Sequence, residues 1–217
     1  VNFMFTQGTA DDLQFKGDEF SKEKGEWWYV NGQWYQINPE KLPEIGIYPT
    51  SGNYINVDSL DLAVTGNDIL AQRCEINDQL VEIDGNKTID VANYNSGQGV
   101  DLYITTVNNV GSTRREAEVN DFTIHYKNDN LTQAPNIYSW VYFNNQDHPV
   151  LGTWPGSSMA DNDGDGWYEV QLNNVLTKEL HLLFNWNNGN DQTANLTCQP
   201  GEWWYYNGTW YDEKPTF

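Results

Sequence analysis

Short runs in which apolar and polar residues alternate recur along the chain: "VNFMF" (1–5), "LDLAVTG", "DLYITTVNN", "EVNDFTIHY", "NIYSWVYFNN" and "ELHLLFNW". A period of two is the mark of a half-buried strand, because successive side chains point to opposite faces of a sheet. Gly, Asn and Asp cluster between the runs, as turns require. No segment sustains the 3.6-residue period of a helix, and none approaches the roughly 18 apolar residues of a membrane-spanning helix. The pattern predicts an all-β chain of tandem β-sandwiches, with a partial sandwich at its start.

One phrase occurs twice. "GEWWYVNGQWY" (25–35) and "GEWWYYNGTWY" (201–211) share 9 of 11 residues. Asn-Gly between aromatic runs predicts a two-residue hairpin, since both turn positions need positive φ. Tyr29 then faces Trp34 and Trp28 faces Tyr35, with Tyr205–Trp210 and Trp204–Tyr211 as the second set. Cross-strand pairs of this kind stabilise a hairpin by up to about 1 kcal/mol each. The similarity extends upstream, where "VNFMF" aligns with "LHLLF" (180–184). Residues 1–36 are therefore expected to be the back half of a module whose whole copy lies near the other end, so that the chain reads as a fragment. Alone they are expected neither to close a sandwich nor to carry a binding site.

"INPEKLPE" (37–44) reads as a stiff linker. Seven or so short strands follow at intervals of about 8–12 residues, the sequence appearance of an immunoglobulin-like sandwich. "TVNNVGS" followed by "FTIHY" resembles the end of small bacterial Ig-like spacer domains. "KNDNLTQAP" (127–135) reads as a second linker. The expected organisation is 1–36 partial module, 37–128 linker and Ig-like sandwich, and 129–217 complete module.

The formal charge of −20 argues against nucleic acid and anionic membrane surfaces as partners, both of which need a basic face. It suits a neutral partner. Cys74 and Cys198 lie in segments assigned to different domains and have no zinc-ligand spacing, so two buried free thiols are expected, with an interdomain disulfide as the alternative. His125, His148 and His181 stand alone, and no nucleophile elbow is present. "DNDGDG" (161–166) imitates a calcium loop through Asp161, Asp163 and Asp165, but position 12 is Leu172 in place of a bidentate Glu. An acidic turn is expected there, with calcium the lesser alternative and no other cofactor or metal.

The 31 aromatic residues carry the strongest chemical signal. Tyr138 and Trp140 alternate on one strand and so share a face, about 6.6 Å apart. Trp154 precedes Pro155–Gly156, a turn that tends to set it at a loop tip. All three sit among polar residues, and exposed rings stack on the C–H faces of sugars while polar neighbours bond the hydroxyls.

"IYSW…TWPGSSM…DGDGWYEV…LLFNWNNGNDQTANL" resembles the family-26 carbohydrate-binding modules, which bind starch, over about 137–211. The resemblance implies that Tyr138, Trp140 and Trp154 form a sugar platform, with Gln192 and Thr193 bonding hydroxyls. Trp186, where the family usually has a small or polar residue, is expected to add a contact. Rings set at an angle would cradle the curve of an α-1,4-glucan, whereas flat cellulose would want a coplanar row. The expected protein is a non-catalytic, monomeric binder of starch, amylose and maltooligosaccharides, secreted or on a bacterial cell surface, tethering an amylase or the cell to starch. The rivals are a jelly-roll glycoside hydrolase and an adhesion or scaffold module.

Overall fold

The computed structural model describes residues 2–9, 12–21, 23–30, 33–35, 38, 42–83, 88–95 and 99–216, with backbone alone for 2–9, 12–20 and 30. The chain divides into two units, Val1–Leu42 and Pro43–Phe217.

In the first unit β1 (Asn2–Thr9) pairs antiparallel with β2 (Asp12–Ser21), and β3 (Trp28–Val30) pairs with β4 (Gln33–Tyr35). Trp28 faces Tyr35 and Tyr29 faces Trp34, as the aromatic phrase predicts. The Asn31–Gly32 turn, most of the 37–44 linker and the side chains of "VNFMF" lie outside the described residues.

The second unit holds the remaining strands. β5 (Glu44–Pro49), β6 (Ser59–Thr65), β7 (Ile69–Ile76), β8 (Gln79–Val81), β9 (Thr88–Asp90) and β10 (Val100–Asn108) precede a long β11 (Ser112–Lys127). After it come β12 (Asn136–Phe143), β13 (Gln146–Pro149), β14 (Ser157–Ser158), β15 (Tyr168–Leu176), β16 (Leu180–Trp186), β17 (Asp191–Gln192), β18 (Leu196–Cys198), β19 (Gly201–Tyr206) and β20 (Thr209–Tyr211).

Two cores form within this unit. In the first lobe the sheet β5–β6–β9 and the strands β8–β7–β10–β11 enclose Ile47, Leu60, Ile76, Leu102 and Ile104. In the second, β15, β11, β19 and β20 lie on one side and β13, β12, β16 and β18 on the other, around Phe122, Ile124, Ile137, Leu182 and Phe184. The repeated hairpin closes this lobe: Asn207 and Gly208 both have positive φ, and Tyr205 packs on Phe184 and Trp210.

The expected linker at 127–135 is corrected by β11. This strand pairs with β10 through Ser112–Val119 and then with β15 and β19 through Phe122–Lys127. Its register slips between Asn120 and Phe122. The extra residue lies on β15, three positions from Leu172 to Val175 against two on β11, so β11 keeps its alternation and its odd and even side chains face opposite ways. Ala117 and Val119 thus enter the first core, while Phe122, Ile124 and Tyr126 enter the second. Residues 128–135 connect two strands of the second lobe, and the boundary drawn at 128 falls at the end of a strand both lobes share.

Further bonds lock the lobes. The N–H groups of Asn56 and Val57 donate to the carbonyls of Asn173 and Asn174, and that of Leu176 donates to Tyr54 O. Leu176, on β15, is buried in the first lobe's core, and Tyr54 packs against both cores.

Candidate functional site

Along β12, Ile137, Ser139 and Val141 are fully buried, which turns Tyr138, Trp140 and Tyr142 to the outer face. β16 lies beside it with Leu183 opposite Tyr138 and His181 opposite Trp140. The imidazole of His181 stacks on the Trp140 indole at a centroid distance of 5.7 Å and an angle of 15°. Leu183, 5% exposed, floors the space between the rings.

The third ring comes from the 150–156 loop. Gly156 N–H donates to Thr153 O, and Asn185, wholly buried, donates its side-chain amide to Pro155 O at 2.8 Å. The Trp154–Pro155 peptide bond is cis. Gly156 has φ +89°, and a Cβ there would lie 2.1 Å from Ile137 O, so glycine is what lets the loop lie against β12. A Cβ on Gly189 would stand 2.7 Å from the Trp154 indole nitrogen. The indole therefore rests on backbone that has no side chain.

Tyr138 stands 5.8 Å from Trp140 at 35°, and 5.6 Å from Trp154 at 69°. The rings border an open cleft of about 500 Å³ whose wall is completed by Asp147, Pro149, Gln192 and Asn195. Each of these polar side chains is exposed and able to meet a ligand hydroxyl.

Of the residues expected here, the structure brings Tyr138, Trp140, Trp154 and Gln192 together and sends two elsewhere. Thr193 is bound up in the fold: its hydroxyl accepts the Phe184 N–H at 3.1 Å, and its own N–H donates to Phe184 O. Trp186 shares the inner row of β16 with Leu182 and Phe184 and packs against the core. Because Leu182, Leu183 and Phe184 are all apolar, periodicity alone leaves the phase of this strand open. His181, Asp147, Pro149, Leu183 and Asn195 are cleft or platform residues that the sequence reading missed. For His181 and Leu183 a signal existed, since residues 181 and 183 alternate as 138 and 140 do.

Asp161, Asp163 and Asp165 form a close acidic group, with one carboxylate oxygen of each within 4.8 Å of the others. Two of these carboxylates accept hydrogen bonds within the turn and from Lys214. The Asp161 carboxylate accepts N–H groups from Gly164, Asp165 and Gly166, and Asp165 accepts the Trp167 N–H and the Lys214 ammonium. Leu172, where a calcium loop would place its bidentate carboxylate, is fully buried. These contacts brace the turn through its own amides and one lysine. Lys214 holds the Asp165 carboxyl below the usual carboxylate range, chiefly by that hydrogen bond.

Cys74 and Cys198 are free and buried, one in each core. Burial pushes their thiols up to about 11 and about 12, respectively.

Comparison with known families places a match over the strands that build the cleft. Residues 124–198 match the family model of starch-binding module 26. The match holds all three rings and Gln192, and it starts inside β11, in the half of that strand that faces the second core. Two solved structures are also similar. One is the solution structure of a family-25 module of a beta/alpha-amylase from Paenibacillus polymyxa, with 21% identity, 46% of this chain and 97% of that chain covered, and a TM-score of 0.36. The other is the crystal structure of a family-26 module of Amy13K from Eubacterium rectale in complex with maltoheptaose, with 18% identity, 69% and 93% coverage, and a TM-score of 0.37. No curated protein matches the chain.

Proposed function

We propose that this protein binds starch and its α-1,4-linked oligosaccharides without cleaving them, through the cleft of Tyr138, Trp140 and Trp154. The observation that carries this reading is the mutual tilt of the three rings, 35° and 69° about Tyr138. Such a set forms a concave apolar cradle, which suits a curved glucan and leaves a flat cellulose chain touching one ring at a time. Gln192, Asn195 and Asp147 stand where hydroxyls would need partners. Matching of the segment to a starch-binding family supports the same ligand class.

The cleft wall carries one carboxylate, Asp147, whereas glycoside hydrolysis ordinarily uses two flanking the bond. Binding without catalysis is the chemistry these groups supply.

The first lobe of Pro43–Phe217 serves as a spacer of immunoglobulin-like type, a reading supported by its two sheets, β5–β6–β9 and β8–β7–β10–β11, which differ from the seven-stranded Ig order in carrying the fourth strand on the second sheet. The first unit repeats strand pairs of the second lobe. Its Phe3–Phe20 and Tyr29–Trp34 pairs stand in the registers of Leu182–Leu196 and Tyr205–Trp210. In this arrangement the protein holds an amylase or a bacterial surface against starch, outside the cell.

The test is retention on amylose or granular starch, with cellulose as control and reducing-sugar release as a parallel assay. Retention on starch alone without sugar release is expected. Equal retention on cellulose, or none on either, would overturn the reading.

A further inference from the structure

Tyr142 is the most exposed ring on the outer face of β12, at 57% against 45% for Trp154. It stands two residues beyond Trp140 on the same face, hence about 6.8 Å further along the strand. Asp147 lies directly opposite it on β13, as Pro149 lies opposite Trp140. Asp147 and Pro149 both line the cleft, so the wall of the platform continues toward Tyr142.

This end of the row is fixed in place. Asn144 and Asn145, both with positive φ, form the tight turn between β12 and β13. The Asn144 side-chain amide donates to Ile47 O of the first lobe at 3.0 Å, and its carbonyl oxygen accepts a hydrogen bond from Arg115. On the opposite side of β13 from Asp147, His148 stacks on Tyr54 at 3.8 Å. The turn is thus pinned to the spacer lobe from two directions, and the backbone that carries Tyr142 needs no ordering when a ligand arrives.

We infer that Tyr142, beside Asp147 at the end of the cleft wall, forms an outer glucan subsite that short oligosaccharides filling the three-ring cleft do not reach. This rests on the platform reading above and extends it to chain length. A ligand of about three glucose units occupies the cleft, and a longer one continues along β12, stacking on the Tyr142 ring while Asp147 accepts from its hydroxyls. The protein then prefers longer α-glucans because of the spacer lobe's grip on the β12–β13 turn.

The experiment is calorimetric titration of the full chain with maltotriose and with maltoheptaose. Tyr142→Ala is expected to weaken maltoheptaose at least about fivefold, on the scale of aromatic–base stacking, and to leave maltotriose within about twofold. Tyr142→Phe keeps the ring and should restore the wild-type ratio, and melting temperatures of all three proteins should agree. Unchanged maltoheptaose affinity in Tyr142→Ala, or equal loss for both sugars, overturns the outer subsite. Trp140→Ala distinguishes the two readings: it should weaken both sugars together. If the wild type binds neither sugar, the platform itself fails and the subsite fails with it.

Discussion

The ring of Trp154 meets that of Tyr138 edge to face, with centroids 5.6 Å apart and planes at 69°. One comes from a loop and the other from a central strand, so their angle is set by how the loop lies against β12. The cradle depends on that angle.

Replacing Trp154 by Ala removes a ring that is 45% exposed and lies outside the core. Glucan affinity should fall about 5- to 150-fold, taking about 1–3 kcal/mol per stacked ring by analogy with nucleobases. The melting temperature should move little, because no core void is created. Titration with maltoheptaose and thermal unfolding on the same samples test this; unchanged affinity would return the ring to a structural role.

Gly189→Ala should weaken binding without touching any sugar-facing atom. The added methyl would press on the Trp154 indole, and residue 189 sits at φ +80°, where an L side chain is strained. A stability loss of about 1 kcal/mol is expected together with reduced affinity. Full affinity in this variant would mean that Trp154 can move and still bind.

The two lobes of Pro43–Phe217 should unfold as one. Leu176 sits on β15 of the second lobe and is fully buried in the core of the first. Leu176→Ala should cost about 2–5 kcal/mol and lower a single calorimetric transition for this unit. Two separate transitions, only one of them shifted, would show that the shared strand does not couple the lobes.

Asp165 should titrate below the ordinary carboxylate range, and Lys214→Gln should move it up. A carboxyl whose pKa is depressed by folding adds stability above its unfolded pKa and loses it as pH falls through the folded value. The Lys214→Gln variant should therefore differ from wild type near neutral pH and converge with it in strong acid. NMR titration of the Asp165 carboxyl checks the direction, and high salt should reduce the difference because the pair is on the surface.

Both thiols should be inert to a disulfide reagent at neutral pH in the folded protein. Burial holds them protonated, with values near 11 and 12, and reaction needs the thiolate. Two thiols should react on denaturation. Rapid reaction of either in the native state would contradict its place in a core.

Much of this protein is legible in its sequence because it is local. Alternation dictates the strands, Asn207–Gly208 dictates a turn with two positive φ angles, and the spacing of Tyr138 and Trp140 puts both rings on one face. These follow from backbone sterics and the pleat, which need no partner. The tertiary structure decided what depends on neighbours. Whether "FTIHY" ends one sandwich or begins the next turned on which strands pack on each face of β11, which only its pairing with β10, β15 and β19 reveals. Trp186 turned inward because the row of Leu182 and Phe184 is the one that meets Tyr126 and Tyr205 across the core. Thr193 was claimed by the backbone of Phe184, and His181 came to rest on Trp140, because β16 lies between β12 and the segment 191–198. A strand's sequence sets its two faces, but which face is inside is set by the sheet packed against it.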